Sequence, residues 1–227
     1  MFSLKDKVIF IADSHYSSKK TILVELLEKI LYKKIEVTQL ILMGDIFDFL
    51  SNEIEYFIKK NKIVIDLINK ISENIEVIYL EGNHDFNLQN LFLNTLVIPR
   101  KLQPISIIYN KKKIKLAHGD IYTPFLYNFY TYIIRNRFVL KFLNLLDINN
   151  WLTKQIEKRL EQKDICKINR YFNTIIKQRL IKYNCDLIIE GHFHQNSLNT
   201  QYINIPSLFC DKEYLYLNNK KFSIKLI

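Results

Sequence analysis

The feature that most constrains the fold is the alternation of short apolar runs with longer segments of helical periodicity. The first three apolar runs cover residues 8–12, 40–43 and 77–80. Between them, hydrophobic residues recur at three- and four-residue spacing over 22–31 and 54–68, which is the spacing of one face of a helix. The order strand, helix, strand, helix, strand predicts an α/β fold.

The remainder of the chain adds strands around one long helical segment. Asn110-Lys111-Lys112 and Asn218-Asn219 predict turns between paired strands, so part of the sheet should be antiparallel. Residues 122–183 contain no glycine and one proline, and their apolar residues follow helical spacing. We therefore expect one domain over residues 1–227, with a helical insertion at about 122–183. Further strands are predicted at 105–109, 114–117, 186–189, 202–205, 214–217 and 222–226.

The rarest residues are the most informative, because the five histidines and four glycines all fall in five short motifs. Each motif follows a predicted strand, directly or after one residue. In α/β sheets, functional groups collect beyond the carboxyl ends of the strands, where glycine permits sharp turns and close backbone approach. The motifs are Asp13-Ser14-His15, Gly44-Asp45-Ile46-Phe47-Asp48, Gly82-Asn83-His84-Asp85, His118-Gly119-Asp120 and Gly191-His192-Phe193-His194.

The carboxylate and imidazole groups of these motifs predict a catalytic metal centre. Together they suit manganese, iron, zinc or nickel, whereas motifs without a thiolate argue against a structural zinc site. Taken alone, most of the motifs are more often surface turns, helix N-caps or buried histidines. His192 and His194 are stronger evidence, because residues two apart on an extended segment face the same side. Five such motifs in one chain, each at a strand end, favour the metal site.

The order D-x-H, G-D-x-x-D, G-N-H-D, H-G-D and G-H-x-H resembles the calcineurin-like metallophosphoesterase family, over residues 13–194. The resemblance implies a four-layer α-β-β-α sandwich, in which two sheets are flanked by helices and the helical insertion forms a lid. It also implies a hydrolase with two divalent metal ions. Manganese is the expected metal, and iron, zinc and nickel are the alternatives.

Carried over to the matching positions, the resemblance also implies which residues hold the metals. The first ion would be held by Asp13, His15, Asp45 and His194, and the second by Asp45, Asn83, His118 and His192. Asp45 would bridge the two ions. Two metals about 3.5–4 Å apart can share a hydroxide and neutralise the charge that develops on a phosphoryl group.

The residues next to the expected ligands have implied roles of their own. His84 matches the family's non-ligand histidine, which gives a proton or a hydrogen bond to the leaving oxygen. Asp85 is expected to orient the His84 ring. Asp48 and Asp120 are expected to hold ligands in place, as metal-bound histidines usually require. The alternative for His84 is a purely structural histidine.

Within the family, the insertion between H-G-D and G-H-x-H resembles that of the UDP-2,3-diacylglucosamine pyrophosphatases, as does the segment 82–86. This implies cleavage of the substrate's pyrophosphate into UMP and 2,3-diacylglucosamine 1-phosphate. The sequence departs from that branch at His84, where its best-known members have arginine. It also lacks the acidic residues that follow H-G-D there. The apolar residues of the insertion fit either a groove for acyl chains or simple packing onto the domain.

A net charge of +10 predicts attraction to a polyanion, which can be nucleic acid, an anionic membrane or a phosphorylated substrate. Lys163, Lys167 and Arg170 share one face if their segment is helical, which suits a diphosphate or a membrane surface. We expect a nucleotide-linked glycolipid substrate, an anionic membrane surface as a peripheral partner, and no obligate protein partner. Solvated surface charge is the alternative. The predicted substrate-binding residues are Arg135, Arg137, Lys163, Lys167 and Arg170.

Two other functions fit parts of the sequence. A nuclease or cyclic-nucleotide phosphodiesterase suits the positive charge and the G-N-H-D motif, although base-stacking aromatic residues normally line an open basic groove. A binding module that keeps the fold but has lost catalytic activity is the second alternative. Such a protein would be expected to lack some of the metal-ligand residues or His84. The complete set of motifs favours an enzyme.

The N-terminal charges, the apolar runs and the cysteines bear on localisation. Residues 1–7 carry charges where a signal peptide needs an apolar run, and residues 138–148 are too short and too polar to span a bilayer. Cys166, Cys185 and Cys210 match no zinc or disulfide spacing, which predicts ordinary buried thiols in a reducing compartment. We therefore expect a cytoplasmic protein that attaches peripherally to the inner face of the inner membrane.

Overall fold

A computed structural model describes residues 2–227, which contain thirteen strands and eight α-helices. The strands are β1 (Val8–Ile11), β2 (Gln39–Leu42), β3 (Leu50–Ser51), β4 (Glu76–Leu80), β5 (Asp85–Phe86), β6 (Thr95–Ile98), β7 (Ile105–Tyr109), β8 (Lys112–Ala117), β9 (Leu187–Glu190), β10 (Ser197–Leu198), β11 (Tyr202–Asn204), β12 (Glu213–Asn218) and β13 (Lys221–Leu226). The helices are α1 (Ile22–Leu31), α2 (Glu55–Lys60), α3 (Lys62–Ser72), α4 (Phe125–Ile134), α5 (Arg137–Leu146), α6 (Trp151–Gln162), α7 (Phe172–Tyr183) and α8 (Leu208–Asp211).

Two large sheets lie at the centre of the fold. The first has the order β13-β12-β1-β2-β4-β6, in which β1, β2, β4 and β6 are parallel and β12 and β13 are antiparallel. The second has the order β10-β11-β9-β8-β7, in which β8, β9 and β11 are parallel. Strands of a parallel sheet are covered on both faces, which explains why the sequence shows them as continuous apolar runs.

Three apolar cores define the layers around these sheets. Phe10 of β1 and Ile189 of β9 belong to a core that joins the two sheets face to face. On the outer side of the first sheet, α1 and α3 pack through residues such as Leu26. On the outer side of the second sheet, α7 packs through Phe172 and Tyr183. The order helix, sheet, sheet, helix confirms the predicted four-layer α-β-β-α class.

The predicted strands agree with the structure to within about two residues at either end. The predicted turns are also confirmed, because Asn110 and Asn219 have left-handed backbone conformations with φ of 49° and 50° at the turns of the β7–β8 and β12–β13 hairpins. The strand β6 was not predicted. It lies at the edge of the first sheet and is only partly buried, so it has no continuous apolar run. Pairing with β4 is what stabilises its extended conformation.

Helices α4 to α7 occupy the segment that the sequence predicts to be helical. Leu140 of α5 is buried with Phe57 of α2 and Phe86 of β5. Lys60 of α2 donates to Glu157 of α6 at 2.7 Å. The helical segment therefore lies against the elements that follow β2 and β4, at the end of the sheet that carries the sequence motifs. Within residues 2–227, no helix is both long enough and apolar enough to cross a membrane.

One prediction about this segment is wrong, namely the shared helical face of Lys163, Lys167 and Arg170. Helix α6 ends at Gln162, and Lys163 has an extended backbone with φ −72° and ψ 123°. The chain becomes helical again only at Phe172, so the three basic residues lie on a loop. Side-chain spacing cannot reveal this break, because the loop between the helices contains neither glycine nor proline.

The cysteine prediction is also wrong for two of the three residues. Cys166, on the loop between α6 and α7, forms a disulfide with Cys210 of α8, and Cys185 is a free thiol. The partners are 44 residues apart in the chain, and α7 and β9 to β11 lie between them. No local spacing pattern indicates such a pair. The prediction of a reducing compartment depended on unpaired thiols, so the disulfide removes its support.

Candidate metal centre

The five motifs converge on one site that both sheets contribute to. His118 follows β8 of the second sheet, and its Nε2 lies 3.5 Å from Oδ2 of Asp45, which follows β2 of the first sheet. His194 follows β9, and its Nε2 lies 3.4 Å from Oδ1 of Asp13, which follows β1. The predicted convergence at the carboxyl ends of the strands is therefore confirmed.

One candidate ligand group consists of Asp13, His15 and His194, whose ligand atoms all lie within 4.8 Å of one another. Asp13 Oδ1 and His15 Nε2 are buried and have no hydrogen-bond partner within residues 2–227. A buried polar atom without a partner costs about 1–3 kcal/mol. Carboxylate oxygen and imidazole nitrogen are common ligands of divalent transition metals, so a bound cation would satisfy both atoms.

A second candidate group consists of Asp45, His118 and His192, again with ligand atoms within 4.8 Å of one another. Asn83 faces the same group, because its Oδ1 lies 3.2 Å from His118 Nε2. His192 Nδ1 lies 3.2 Å from the same nitrogen. All seven residues that the sequence nominates as ligands are thus brought together. Six of them form the two groups, with Asp45 in the second group only, and Asn83 lies beside that group.

The backbone at these residues is strained. Asp13, His15, Asp45, His192 and His194 have positive φ angles of 51°, 45°, 52°, 66° and 53°. Such conformations cost non-glycine residues about 1–3 kcal/mol each and are concentrated at functional sites, where the surrounding structure enforces them. Here His15 N donates to Asp45 O at 3.0 Å, so one motif holds another in its strained form.

Gly82 is required because the loops after β2 and β4 come into close contact at this residue. Its φ angle is not positive, yet a Cβ built on it would overlap with Asp45, at both the backbone nitrogen and Oδ1. The two loops after β2 and β4 therefore approach each other more closely than any side chain at this position would allow. This contact places Asn83 and His84 beside Asp45.

The site combines ionised carboxylates with imidazoles of unequal basicity. Burial acts to raise the pKa values of Asp13 and Asp45, but the facing histidines outweigh it, and both pKa values are lowered. Burial acts to lower the pKa of His118, but the Asp45 carboxylate outweighs it and raises that pKa to about 10. Burial, together with His118, lowers the pKa of His192 to about 4. The arrangement is one that attracts positive charge.

The ligand rings are held in place from behind. His118 Nδ1 donates to the carbonyl of Met43 at 2.8 Å, so Nε2 is the nitrogen that faces Asp45. His15 Nδ1 lies 3.3 Å from Asp48 Oδ1, and Lys20 donates to the same carboxylate at 2.8 Å. Asp48 is therefore in contact with a candidate ligand, but within residues 2–227 His15 Nδ1 forms no hydrogen bond with it.

Asp85 does not have the predicted role of orienting the His84 ring. Its buried carboxylate accepts hydrogen bonds from the backbone N–H groups of Gly82, Asp45 and Ile46, at 2.8, 3.0 and 2.6 Å. Burial, followed by the Asp45 charge, raises the pKa of Asp85 to about 7. The prediction failed because the carboxylate points beneath the loop. Asp85 ties the loops after β2 and β4 together.

The His84 ring is held by backbone instead. Its Nδ1 lies 2.7 Å from the carbonyl oxygen of Asp48, and its backbone N–H donates to Asp45 Oδ1 at 2.8 Å. Because a carbonyl only accepts, Nδ1 carries a hydrogen and Nε2 is the nitrogen available for proton exchange. Burial lowers the pKa of His84, and the Asp45 carboxylate only partly offsets this effect.

Asp120 also differs from its prediction. It follows His118-Gly119 and is completely buried, but its Oδ2 accepts from two arginines, Arg100 Nε at 2.7 Å and Arg135 at 3.2 Å. It therefore binds the side chain of Arg135 from the helical segment and does not contact a ligand ring directly. The contact between Asp120 and Arg100 was not predicted, because Arg100 lies in a stretch of sequence without a motif.

The five basic residues predicted to bind substrate lie in different environments. Lys163 lines a cavity together with Asn83 and His84. Arg135 is largely buried and its guanidinium is bonded to Gly82 O and Asp120, so it does not present a free cation. Arg137 lies 3.5 Å from Glu53, and Lys167 lies 3.7 Å from Asp164. Arg170 is exposed on the loop before α7.

Arg179 of α7 is a further residue that sequence reasoning missed. Its guanidinium donates to Gly119 O at 2.7 Å and to Ile121 O at 2.6 Å, and it lies 3.7 Å from the buried Glu190. It therefore supports the loop that carries His118. In the sequence it is one basic residue among many in a helix, and no local signal distinguishes it.

A cavity of about 480 Å³ opens beside the candidate ligands. Asn83, His84 and Lys163 line one part of it. The rest is mostly apolar and is formed by helices α4, α5 and α6 together with Phe49 and Ile54. The residues contributed by the helices include Tyr127, Ile133, Val139, Leu140, Leu143, Leu152, Ile156 and Leu160. The cavity thus combines a polar end at the candidate ligands with a mostly apolar interior.

Two groups of carboxylate and imidazole side chains beyond the strand ends suit a pair of divalent metal ions, which is the kind of centre that metal-dependent phosphoesterases use. The sequence profile described as calcineurin-like phosphoesterase matches residues 6–196, and the chain belongs to this family. A curated relative, the UDP-2,3-diacylglucosamine hydrolase of Blochmanniella pennsylvanica (strain BPEN), is 26% identical over 214 residues, covering 89% of this chain and 84% of the relative.

Solved structures with similar folds have low sequence identity to the chain. The phosphoesterase YfcE from E. coli is 14% identical, with a TM-score of 0.48 over 97% of this chain and 92% of YfcE. Vacuolar Protein Sorting 29 from Cryptosporidium parvum is also 14% identical, with a TM-score of 0.41 over 97% of this chain and 95% of the other.

Proposed function

We propose that the protein binds two divalent cations, with manganese as the first candidate and iron, zinc or nickel as alternatives. One would be held by Asp13, His15, Asp45 and His194, and the other by Asp45, Asn83, His118 and His192. The orphaned buried atoms Asp13 Oδ1 and His15 Nε2 support this assignment. When bound, such a metal pair activates water and neutralises charge on a phosphoryl group.

The proposed substrate is UDP-2,3-diacylglucosamine, which would be hydrolysed at its pyrophosphate to UMP and 2,3-diacylglucosamine 1-phosphate. The observation that carries the proposal is the apolar cavity between α4, α5 and α6, which opens beside Asn83 and His84. The acyl chains would occupy the cavity, so that the pyrophosphate lies at the ligand groups. The activity named for the curated relative is consistent with this substrate.

Lys163 would contact the phosphates of such a substrate, and its position in the cavity lining beside His84 supports this role. Its cationic group would complement the charge of a diphosphate next to the candidate ligands. Arg137, Lys167 and Arg170 remain proposed contacts for the polar parts of the substrate. His84 would supply the proton, or a hydrogen bond, to the oxygen that leaves, using Nε2.

The decisive experiment is a substrate panel with metal analysis of the purified protein. With manganese present, the protein should release UMP from UDP-2,3-diacylglucosamine and should lose this activity after treatment with a chelator. Single-stranded DNA and cyclic nucleotides should be poor substrates. Faster cleavage of either of these, with no UMP released from the lipid nucleotide, would replace the proposal with the nuclease or phosphodiesterase alternative.

For a phosphodiester with an aliphatic leaving group, His84→Ala is expected to lower kcat by about 10²–10⁴ while the metal content stays unchanged. The reason is that His84 faces the site without belonging to either candidate ligand group. Metal content per protein and kcat should be measured on the same preparation. A variant that purifies without metal would show that His84 is a ligand and not a proton donor.

We also propose peripheral attachment to an anionic membrane surface. Phe125, Phe138, Ile148 and Trp151 are exposed on the helical segment, by 80%, 85%, 77% and 67%. Exposed apolar side chains combined with a net charge of +10 favour binding to anionic lipid. These residues belong to the segment that forms the cavity, so a membrane-bound protein would take its lipid substrate directly from the bilayer.

Phe138→Ser/Trp151→Ser should reduce flotation of the protein with anionic vesicles by about tenfold, since each substitution removes an exposed apolar group from the interface. Leu93→Ser is the matched control, because Leu93 is equally exposed, at 84%, but lies outside the helical segment. Equal flotation of the double variant and the wild-type protein would argue against attachment through this surface.

A further inference from the structure

Arg135 connects the helical segment to the loop that carries Asn83 and His84. It lies directly after α4, and its guanidinium donates to Gly82 O at 2.6 Å and to Asp120 Oδ2 at 3.2 Å. The guanidinium carbon lies 5.3 Å from the centre of the Phe86 ring, which follows the same loop. Only 13% of the side chain is exposed.

Arg135 is fixed from two sides, which makes the connection rigid. Its guanidinium is held by Asp120, a completely buried carboxylate that also accepts from Arg100 Nε at 2.7 Å. Its backbone carbonyl accepts from Asn87 Nδ2 at 3.0 Å, and Asn87 belongs to the chain that follows the His84 loop. The end of α4 and the chain around the His84 loop are therefore linked through both the backbone and the side chain of Arg135.

The position of the His84 ring depends on the loop to which Arg135 is bonded. Asp85 holds this loop from beneath through Gly82 N at 2.8 Å, and Arg135 holds the same residue through its carbonyl oxygen. Gly82 is thus fixed at both of its backbone polar groups, two residues before His84. Helix α4 also contributes Tyr127, Thr131 and Ile133 to the cavity.

We propose that Arg135 is a positioning residue, which transmits the location of α4 to His84 and sets the distance between the imidazole and the leaving oxygen. This inference rests on the proposed role of His84 as the proton donor. Both hydrogen bonds come from Arg135 Nη2, and the guanidinium also lies against the Phe86 ring. A lysine ammonium can donate to both oxygens from one nitrogen, but it is compact and strongly hydrated and lacks the planar group that contacts the ring. Lysine at position 135 should therefore restore only part of the effect.

The test is the dependence of kcat on the leaving group, measured with small phosphodiesters that do not need the cavity. Proton donation matters little when the leaving group is an acidic nitrophenol and matters most when it is an aliphatic alcohol. Arg135→Gln should lower kcat about 10- to 100-fold for the aliphatic leaving group and much less for the nitrophenol. Arg135→Lys should fall between Arg135→Gln and the wild-type protein, and both variants should keep their metal content.

A double-mutant cycle separates positioning from general structural support. If Arg135 acts through His84, then Arg135→Gln should add little to the loss caused by His84→Ala. Lys141→Gln removes one positive charge from an exposed position of α5 and should leave kcat at the wild-type value. Multiplicative losses in the double variant, or an equal loss for all leaving groups, would overturn the proposal. A wild-type protein that cleaves the small diesters but not the lipid nucleotide would overturn the proposed substrate alone.

Discussion

Asp45→Ala should reduce turnover to below detection and should lower the metal content of the purified protein. Asp45 belongs to one of the two candidate ligand groups, and we propose that it bridges both metal ions. Its Oδ2 lies 3.5 Å from His118 Nε2, and its Oδ1 accepts from His84 N at 2.8 Å. Burial opposes its ionisation, but the surrounding histidines keep its pKa well below the usual range. Its removal takes away the negative charge that both proposed cations would share.

Asp45→Asn serves as the second variant in this experiment, because it keeps the size and the carbonyl oxygen that accepts from His84 N. It should fold like the wild-type protein and still lose activity, since the charge is gone. Asp66→Ala is the control, because Asp66 lies on α3 in a partly exposed ion pair with Lys62. The measurements are metal per protein, kcat on a chromogenic phosphodiester, and the thermal unfolding midpoint. Full metal content in a folded Asp45→Asn protein would contradict the assignment of Asp45 as a bridging ligand.

The sequence was sufficient to predict the location of this site. Asp13, Asp45, Asn83, His118 and His192 all follow strands whose apolar runs are evident, and parallel strands deliver their carboxyl ends to one edge of the sheet. The fold class could be predicted for the same reason. A pattern of this kind depends on local periodicity and rare residues, and both are present in the chain itself.

Contacts between distant parts of the chain could not be predicted in this way. The role of Asp85 depends on the direction of one carboxylate beneath a loop, and that of Arg135 on a carbonyl 53 residues earlier. The disulfide joins Cys166 and Cys210 across 44 residues. The positive φ angles of the candidate ligands arise because the loops hold one another. The identity of a non-glycine residue is not enough to predict such a conformation.

The second large effect concerns the cavity, where Leu143→Glu should lower kcat/KM for UDP-2,3-diacylglucosamine by about 100-fold. Leu143 lines the apolar part of the cavity on α5. A carboxylate there stays hydrated and displaces part of an acyl chain. Each buried methylene contributes roughly 0.8 kcal/mol, so losing contact with about four of them costs about 3 kcal/mol. Since 1.4 kcal/mol corresponds to a tenfold change in an equilibrium constant, the loss is roughly two orders of magnitude.

The same substitution should leave the hydrolysis of a small chromogenic phosphodiester nearly unchanged, because that substrate needs only the residues at the strand ends. Ile181→Glu is the control, because Ile181 lies on α7 of the same helical segment, is 82% exposed and does not line the cavity. It should retain wild-type kcat/KM for both substrates. The lipid nucleotide should be presented in detergent micelles, so that membrane attachment does not enter the comparison. If Leu143→Glu cleaved the lipid nucleotide as well as the wild-type protein does, the cavity would not be the acyl-chain site.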